Sequence, residues 1–290
     1  MMDQANKLRS LVTNNDNIEA DKSDAIKIYS ILSGKGGVGK TNFAVNLAIK
    51  LQQMGKRVLI LDADIGMSNA NIILGVEIKY SIFDLLQGQK KLANIIIKTP
   101  YGVDLISGGS ELSLLENMDD ENQQDILKEL ATLEIYDVLI IDNGAGLTKQ
   151  SLTFSILSDE IILVTTPEPT AITDAYRILK TISQNNIKDN AKLVVNQIRD
   201  ISNGDETYKK LLMTSERFLH LKLEKLGYIF NDIRVNKSIM DQNPIILRYP
   251  NALASTNISQ ICSNLLGDEK FSQNISSIRQ FGNKIIRLFG

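Results

Sequence analysis

A glycine-rich loop in the first fifth of the chain carries the groups needed to hold a phosphate. The segment Ser33–Thr41 reads Ser-Gly-Lys-Gly-Gly-Val-Gly-Lys-Thr and satisfies the pattern G-x-x-x-x-G-K-S/T. Its glycines allow backbone N–H groups to curl around a phosphate, and a helix starting after the loop adds partial positive charge. In such a loop Lys40 reaches the β and γ phosphates of a nucleotide, and the Thr41 hydroxyl ligates Mg²⁺. The predicted phosphate ligands are Gly34, Lys35, Gly36, Gly37, Val38, Gly39, Lys40 and Thr41.

Three carboxylates follow two apolar runs elsewhere in the chain. Asp62 and Asp64 end one run two residues apart, and Asp142 ends another. Open α/β sheets place their ligands at the carboxyl ends of parallel strands. We therefore expect these carboxylates to lie close to the glycine-rich loop.

The elements that must position these residues alternate along the chain. Short β-branched runs predict strands, and longer stretches with helical spacing lie between them. The predicted strands are Ile26–Leu32, Arg57–Leu61, Val103–Ile106, Tyr136–Ile141, Glu160–Thr165 and Lys192–Asn196. The predicted helices are Asn42–Met54, Glu121–Leu133, Thr148–Leu157 and Thr170–Gln184. This alternation predicts an α/β fold with a doubly wound, mainly parallel sheet.

Composition excludes several classes of protein. The 290 residues carry 32 Lys and Arg against 34 Asp and Glu, a net charge of −2 that gives no electrostatic case for coating nucleic acid. The single cysteine, Cys262, excludes an internal disulfide and a cysteine-only zinc or iron–sulfur site within one chain. No signal peptide or spanning helix is apparent, and the charge-free stretch Tyr249–Gly267 is too polar to be one. A cytoplasmic location is therefore expected.

The loop resembles the deviant Walker A loop, K-G-G-x-G-K-S/T, of the MinD/ParA family of P-loop ATPases, and the fold expected is theirs. The resemblance implies that Lys35 crosses a dimer interface to the partner's ATP and that Asp64 orients the attacking water. It also implies a magnesium site formed by Thr41, Asp62 and Asp142, with Asp142 in a Walker B element. One departure is Gly144, which replaces the proline of the family's D-x-P-A-G sequence and is expected to make that turn freer.

The same resemblance gives a base pocket. Asn196 matches the family's base-binding asparagine, and Phe230 and Asn231 match a segment that lines the pocket. The guanine signature N-K-x-D is absent, because Gln197 and Arg199 stand in its place. ATP with Mg²⁺ is therefore the expected ligand.

The two ends of the chain differ from the core, which we expect to span residues 24–268. Residues 1–23 combine a short helical pattern with a polar tether, and the first residues resemble the D-Q-A-x-x-L-R motif of FlhG (FleN or YlxH) proteins. That resemblance implies activation of the flagellar GTPase FlhF by Asp3, Gln4, Ala5, Leu8 and Arg9. A helix packed on its own core is the alternative interpretation.

The sequence pattern of residues 269–290 predicts an amphipathic helix. An apolar arc with basic residues beside it favours anionic membrane surfaces. The residues concerned are Ile278, Phe281, Ile285, Leu288, Phe289, Arg279, Lys284 and Arg287. The same arc could pack on the core of the protein, and both states are compatible if ATP-driven dimerisation releases the helix.

The expected function is that of a slow, Mg²⁺-dependent ATPase that dimerises with ATP and regulates flagellar number and placement. The resemblance implies peripheral attachment to the inner face of the cell membrane in the ATP-bound state, with flagellar switch-complex proteins as further partners. No sequence-specific nucleic acid is expected. A MinD-type regulator of the division site and a ParA-type partition ATPase remain alternatives.

Overall fold

The computed structural model describes residues 26–64, 69–108 and 132–268. Within them, eight strands form one sheet. The strands are β1 Lys27–Leu32, β2 Val58–Ala63, β3 Ile97–Lys98, β4 Asp104–Ser107, β5 Val138–Asn143, β6 Glu160–Thr165, β7 Asn190–Ile198 and β8 Lys222–Phe230. Every residue of β1, β2 and β5 is buried, as expected of strands covered on both faces.

The sheet is doubly wound. Its strand order is β3-β4-β2-β5-β1-β6-β7-β8, and all neighbours are parallel except β3 and β4. The predicted mainly parallel α/β fold is therefore confirmed, and all six predicted strands are present within two residues of their expected ends. Two strands were not predicted, namely the two-residue β3 and the outer strand β8.

Helices cover both faces of this sheet. They are α1 Lys40–Gln53, α2 Ala70–Leu74, α3 Ile82–Leu86, α4 Leu92–Ile95, α5 Lys149–Leu157, α6 Pro169–Gln184, α7 Ile201–Phe218, α8 Ile233–Met240, α9 Ile245–Arg248 and α10 Leu253–Asp268. One core lies under α1, α9 and α10 and contains Tyr29 and Ile31 of β1. Ile28 of the same strand points to the opposite core, under α3, α4 and α5. Since successive strand residues alternate in direction, one strand supplies both cores.

The predicted helices 42–54, 148–157 and 170–184 correspond to α1, α5 and α6. The predicted helix Glu121–Leu133 falls mostly outside the described residues, and its last two residues begin a 3₁₀ helix, Thr132–Ile135. The two terminal arms, residues 1–23 and 269–290, lie outside them as well. Most of the charge-free stretch Tyr249–Gly267 forms α10, and none of the described helices has the length and apolar character needed to cross a bilayer.

Candidate nucleotide-binding site

The glycine-rich loop joins β1 to α1 at the carboxyl edge of the sheet, near its centre. Gly37 and Gly39 adopt left-handed backbone angles, with φ of 80° and 85°. A Cβ at Gly39 would also stand only 2.4 Å from Asn196 Nδ2. Conformation and space therefore both demand glycine at position 39, which is the position that opens α1.

A buried ion pair lies beneath this loop. Lys40 Nζ lies 2.6 Å from Asp142 Oδ1, and the two side chains are 6% and 0% exposed. β5 neighbours β1 in the sheet, so the strand that ends in Asp142 runs beside the strand that enters the loop. The other oxygen, Asp142 Oδ2, is buried without a hydrogen-bond partner among the described residues. A buried acceptor without a partner is costly, and a water molecule bound to Mg²⁺ would satisfy it.

Asp62 stands opposite Asp142 in the register of β2 and β5. Its carboxylate accepts hydrogen bonds from the backbone N–H groups of Asp64, Asn69 and Ala70 at 3.1–3.2 Å. Burial, and then the neighbouring charge of Asp142, raise the pKa of Asp62 to about 6. Two carboxylates placed side by side in a buried position form an environment that a divalent cation would stabilise.

Asp64 directly follows the last residue of β2 and lines the cavity that adjoins the phosphate loop. Burial raises the pKa of its carboxyl group; Lys40 opposes this shift and Asp142 adds to it. Its carboxylate lies against the backbone of Gly144, where an added Cβ would be 3.1 Å from Asp64 Oδ1. Three carboxylates and the loop lysine therefore meet at one edge, as the sequence predicted.

Lys35 lies at the outer side of the loop and is 40% exposed. Its Nζ contacts Glu168 Oε2 at 2.7 Å and Thr170 Oγ1 at 3.0 Å, both at the start of α6. The sequence predicted that Lys35 would reach a partner subunit. Within this single chain the lysine is held by its own α6 segment, and sequence reasoning did not identify Glu168 or Thr170 as its partners.

One side chain and one backbone N–H group tie the turn after β5 to β1 and to the residue that follows β1. Asn143 Nδ2 donates to Ser30 Oγ and to the Ile31 carbonyl oxygen, each at 3.0 Å. Three residues later, the Gly146 N–H donates to the Ser33 carbonyl oxygen at 2.8 Å. The turn that follows Asp142 is thus fixed to β1 at both of its ends.

Beyond the phosphate loop the site widens into a cavity of about 560 Å³. Asn196, Phe230 and Asn231, for which the resemblance implied a role in base binding, all line it. Asn196 Nδ2 donates to the Val38 carbonyl oxygen at 2.8 Å, and its Oδ1 accepts from the Gln197 N–H. The asparagine therefore also braces the loop that it adjoins.

Sequence reasoning missed the apolar wall of this cavity. The wall combines side chains from α2, α8 and α10, which are far apart in sequence. Its members are Ile72, Ile73, Val235, Ile239 and Ile258. They offer a planar base an apolar surface, which suits a nucleotide better than a free phosphate. Only the spacing of Val235 and Ile239 along a short helix could have signalled it.

The remaining predicted residues lie outside the described ranges. They are Asp3, Gln4, Ala5, Leu8 and Arg9 in the first arm, and Ile278, Arg279, Phe281, Lys284, Ile285, Arg287, Leu288 and Phe289 in the second. Their roles stay predictions.

Comparisons with known proteins agree with this geometry. A ParA family model, described as NUBPL iron-transfer P-loop NTPase, matches residues 24–266. The chain is 35% identical to the flagellum site-determining protein YlxH of Helicobacter pylori over 269 residues, covering 92% of this chain and 91% of the relative. It is 30% identical to the antiactivator FleN of Pseudomonas aeruginosa over 231 residues, covering 79% and 82%.

A solved structure of the MinC:MinD cell division complex from Aquifex aeolicus is similar with a TM-score of 0.67 and 26% identity, covering 86% of this chain and 98% of that one. The similarity therefore extends from the glycine-rich loop to the whole sheet.

Proposed function

Because the chain belongs to the ParA/MinD family of P-loop NTPases, we propose that it is a Mg²⁺-dependent ATPase that switches between a monomer and an ATP-bound dimer. The observation that carries this proposal is the buried pair of Lys40 and Asp142 with one carboxylate oxygen left unsatisfied. A polyphosphate would pair with the charge of Lys40, and a hydrated cation would pair with the carboxylate of Asp142. The site therefore suits both ligands bound together.

The residues present fit Mg²⁺ and ATP. Lys40 would exchange Asp142 for the β and γ phosphates, while Thr41, Asp62 and Asp142 would hold the cation directly or through its water molecules. The cation supplies charge neutralisation on the phosphates. Asp64 is then the group that orients the attacking water. Asn196, Phe230 and Asn231 hold the base against the apolar wall.

In the proposed dimer, Lys35 contacts the nucleotide of the partner subunit. In the family, this lysine reaches the partner's nucleotide, and here it is exposed enough to do so once it leaves Glu168 and Thr170. Each Lys35 would then neutralise charge on the other subunit's phosphates. Since the ion pair with Glu168 is solvent-exposed, breaking it costs little.

We further propose that this switch regulates flagellar number and placement. Support comes from the similarity to FleN and YlxH over most of the chain, together with the D-Q-A-x-x-L-R segment. In this proposal residues 1–23 activate the GTPase FlhF, and residues 269–290 attach the dimer to anionic membrane. Two amphipathic helices per dimer bind a membrane far more tightly than one, so attachment follows the nucleotide.

The FlhF part is tested by adding the full chain to purified FlhF with GTP and measuring phosphate release. We expect stimulation by the wild-type chain and its loss in Gln4→Ala, because the glutamine acts at the GTPase active site. Asn6→Ala is the matched control, since residue 6 is a variable position of the motif, and it should stimulate normally. Equal stimulation by the wild type and Gln4→Ala would contradict the proposal.

The MinD-type alternative, a regulator of the division site, is favoured by the similarity to the MinC:MinD complex. It provides no role for the Asp3–Arg9 motif. If the wild-type chain fails to stimulate FlhF at all, this alternative gains, and the protein is a MinD-like ATPase acting on another target.

A further inference from the structure

We propose that Gly144 is a positioning residue for Asp64: the absence of a side chain at 144 lets the water-orienting carboxylate lie against the backbone of the turn after β5. The inference rests on the proposed ATPase function, in which Asp64 orients the attacking water. It adds a residue that does not touch the nucleotide and acts only through Asp64.

The register of the sheet brings the two residues together. Ala63 of β2 pairs with Asn143 of β5, so Asp64 and Gly144 leave adjacent strand ends at the same level. A Cβ added at Gly144 would stand 3.1 Å from Asp64 Oδ1, 3.7 Å from its Cγ and 3.8 Å from its Cα. The first distance is shorter than an ordinary van der Waals contact, and the other two are not. In this chain, with its own backbone at the turn, a Cβ at 144 would therefore meet the Asp64 carboxylate first.

Backbone conformation is not the reason for this glycine. Gly37, Gly39 and Gly146 of the surrounding loops have left-handed φ angles, whereas Gly144 does not. The sequence suggested that glycine at 144 would loosen the turn. In the structure the residue instead supplies space, and the turn itself is held.

The turn cannot easily move to relieve a new contact. Asn143, immediately before Gly144, bonds to Ser30 and Ile31 of β1. Gly146, two residues after it, donates to the Ser33 carbonyl oxygen. With the backbone fixed on both sides, Asp64 is the group that must shift, and it would move away from the turn into the cavity.

A small shift of a water-orienting carboxylate has a large effect on the rate. Displacement by about 1 Å costs on the order of a hundredfold in rate, so a shift of about 0.3 Å predicts about a fourfold loss. ATP binding uses the phosphate loop and the base pocket, neither of which contacts Gly144 in this way. The predicted signature is thus a lower kcat with an unchanged KM for ATP.

The experiment compares full-length wild type with Gly144→Ala, Asp64→Ala and the double variant, measuring kcat and KM for ATP and Mg²⁺·ATP-dependent dimerisation. We expect Gly144→Ala to lose about fourfold in kcat while KM and dimerisation stay unchanged. In the Asp64→Ala background the second substitution should add nothing, because its effect runs through Asp64. Gly267→Ala is the matched control: its Cβ meets nothing within 4 Å and its φ is ordinary, so hydrolysis should stay at the wild-type rate.

Three results would overturn the inference. The first is wild-type hydrolysis by Gly144→Ala when Asp64→Ala is inactive, which leaves the proposed function intact. The second is a loss of ATP binding or dimerisation together with kcat, which assigns Gly144 a structural role. The third is normal hydrolysis by Asp64→Ala, which removes the role of Asp64 in the proposed function as well.

Discussion

Asp62 is the carboxyl group where the site's electrostatics act most clearly on a single residue. It is 1% exposed and its pKa is raised to about 6, first by burial and then by Asp142. A group whose native pKa exceeds its unfolded value binds its proton more tightly in the native state. Asp62 therefore reduces the free energy of unfolding as the pH rises from about 4 to about 6, and above that range its effect is constant. The shift corresponds to about 3 kcal/mol.

We predict that Asp62→Asn stabilises the nucleotide-free protein at pH 7.5, by about 1 kcal/mol after the loss of the hydrogen bond from the Asp64 N–H. The measurement is urea unfolding between pH 4 and 8, and the gain over wild type should grow up to about pH 6 and then level off. Asp137→Asn is the control of opposite sign. The hydrogen bond from Arg57 lowers the pKa of Asp137, so this variant should lose stability at neutral pH. A gain for Asp62→Asn that does not vary with pH would contradict the account.

The same residues show how far chemistry can be predicted from sequence. The phosphate loop was predictable because its groups are contiguous, and Asp62 and Asp142 because both end apolar strands. The contact of Lys35 with Glu168 was not, since 133 residues separate them and only the folded sheet brings α6 beside the loop. The closeness of Gly144 to Asp64 likewise depends on strand register.

At the scale of elements, α1 is fixed to α9 by one buried amide. Asn46 Oδ1 accepts from the Ile246 N–H at 3.1 Å, and its Nδ2 donates to the Asn42 carbonyl oxygen at 2.8 Å. We predict that Asn46→Ala lowers the free energy of unfolding by about 2 kcal/mol, because the Ile246 N–H is left buried without a partner. Urea unfolding measures this, with Ser263→Ala on the exposed side of α10 as the control. A loss below about 0.5 kcal/mol would show that water replaces the amide.

Element prediction failed where charged residues or a turn signal interrupt the pattern of an element. β8 was missed because Lys222, Glu224 and Lys225 interrupt its apolar residues, which an outer strand with one neighbour tolerates. α7 was missed because its first turns contain Asn-Gly-Asp, a turn signal, and because it buries only three side chains besides Gly204. The central strands were predicted because burial on both faces leaves them almost wholly apolar.

At the scale of the whole molecule, the proposed function is a switch in which the bound nucleotide controls dimerisation. The phosphate loop, the three carboxylates and Lys35 all lie at one edge of the sheet, so two chains that meet at this edge would enclose both nucleotides. In the proposed cycle, hydrolysis then dissociates the dimer. Membrane attachment and GTPase activation are proposed consequences of that single equilibrium.

The most direct test of this claim is the mass of the full-length protein in solution, measured by light scattering with Mg²⁺ and either ADP or a non-hydrolysable ATP analogue. We predict a monomer with ADP and a dimer with the analogue. Lys35→Ala should bind the analogue yet stay monomeric, while Lys79→Ala, an exposed lysine outside the cavity lining, should dimerise normally. Two results would contradict this claim. One is dimerisation of Lys35→Ala to the same extent as the wild type, and the other is a wild-type mass that is the same with ADP and with the ATP analogue.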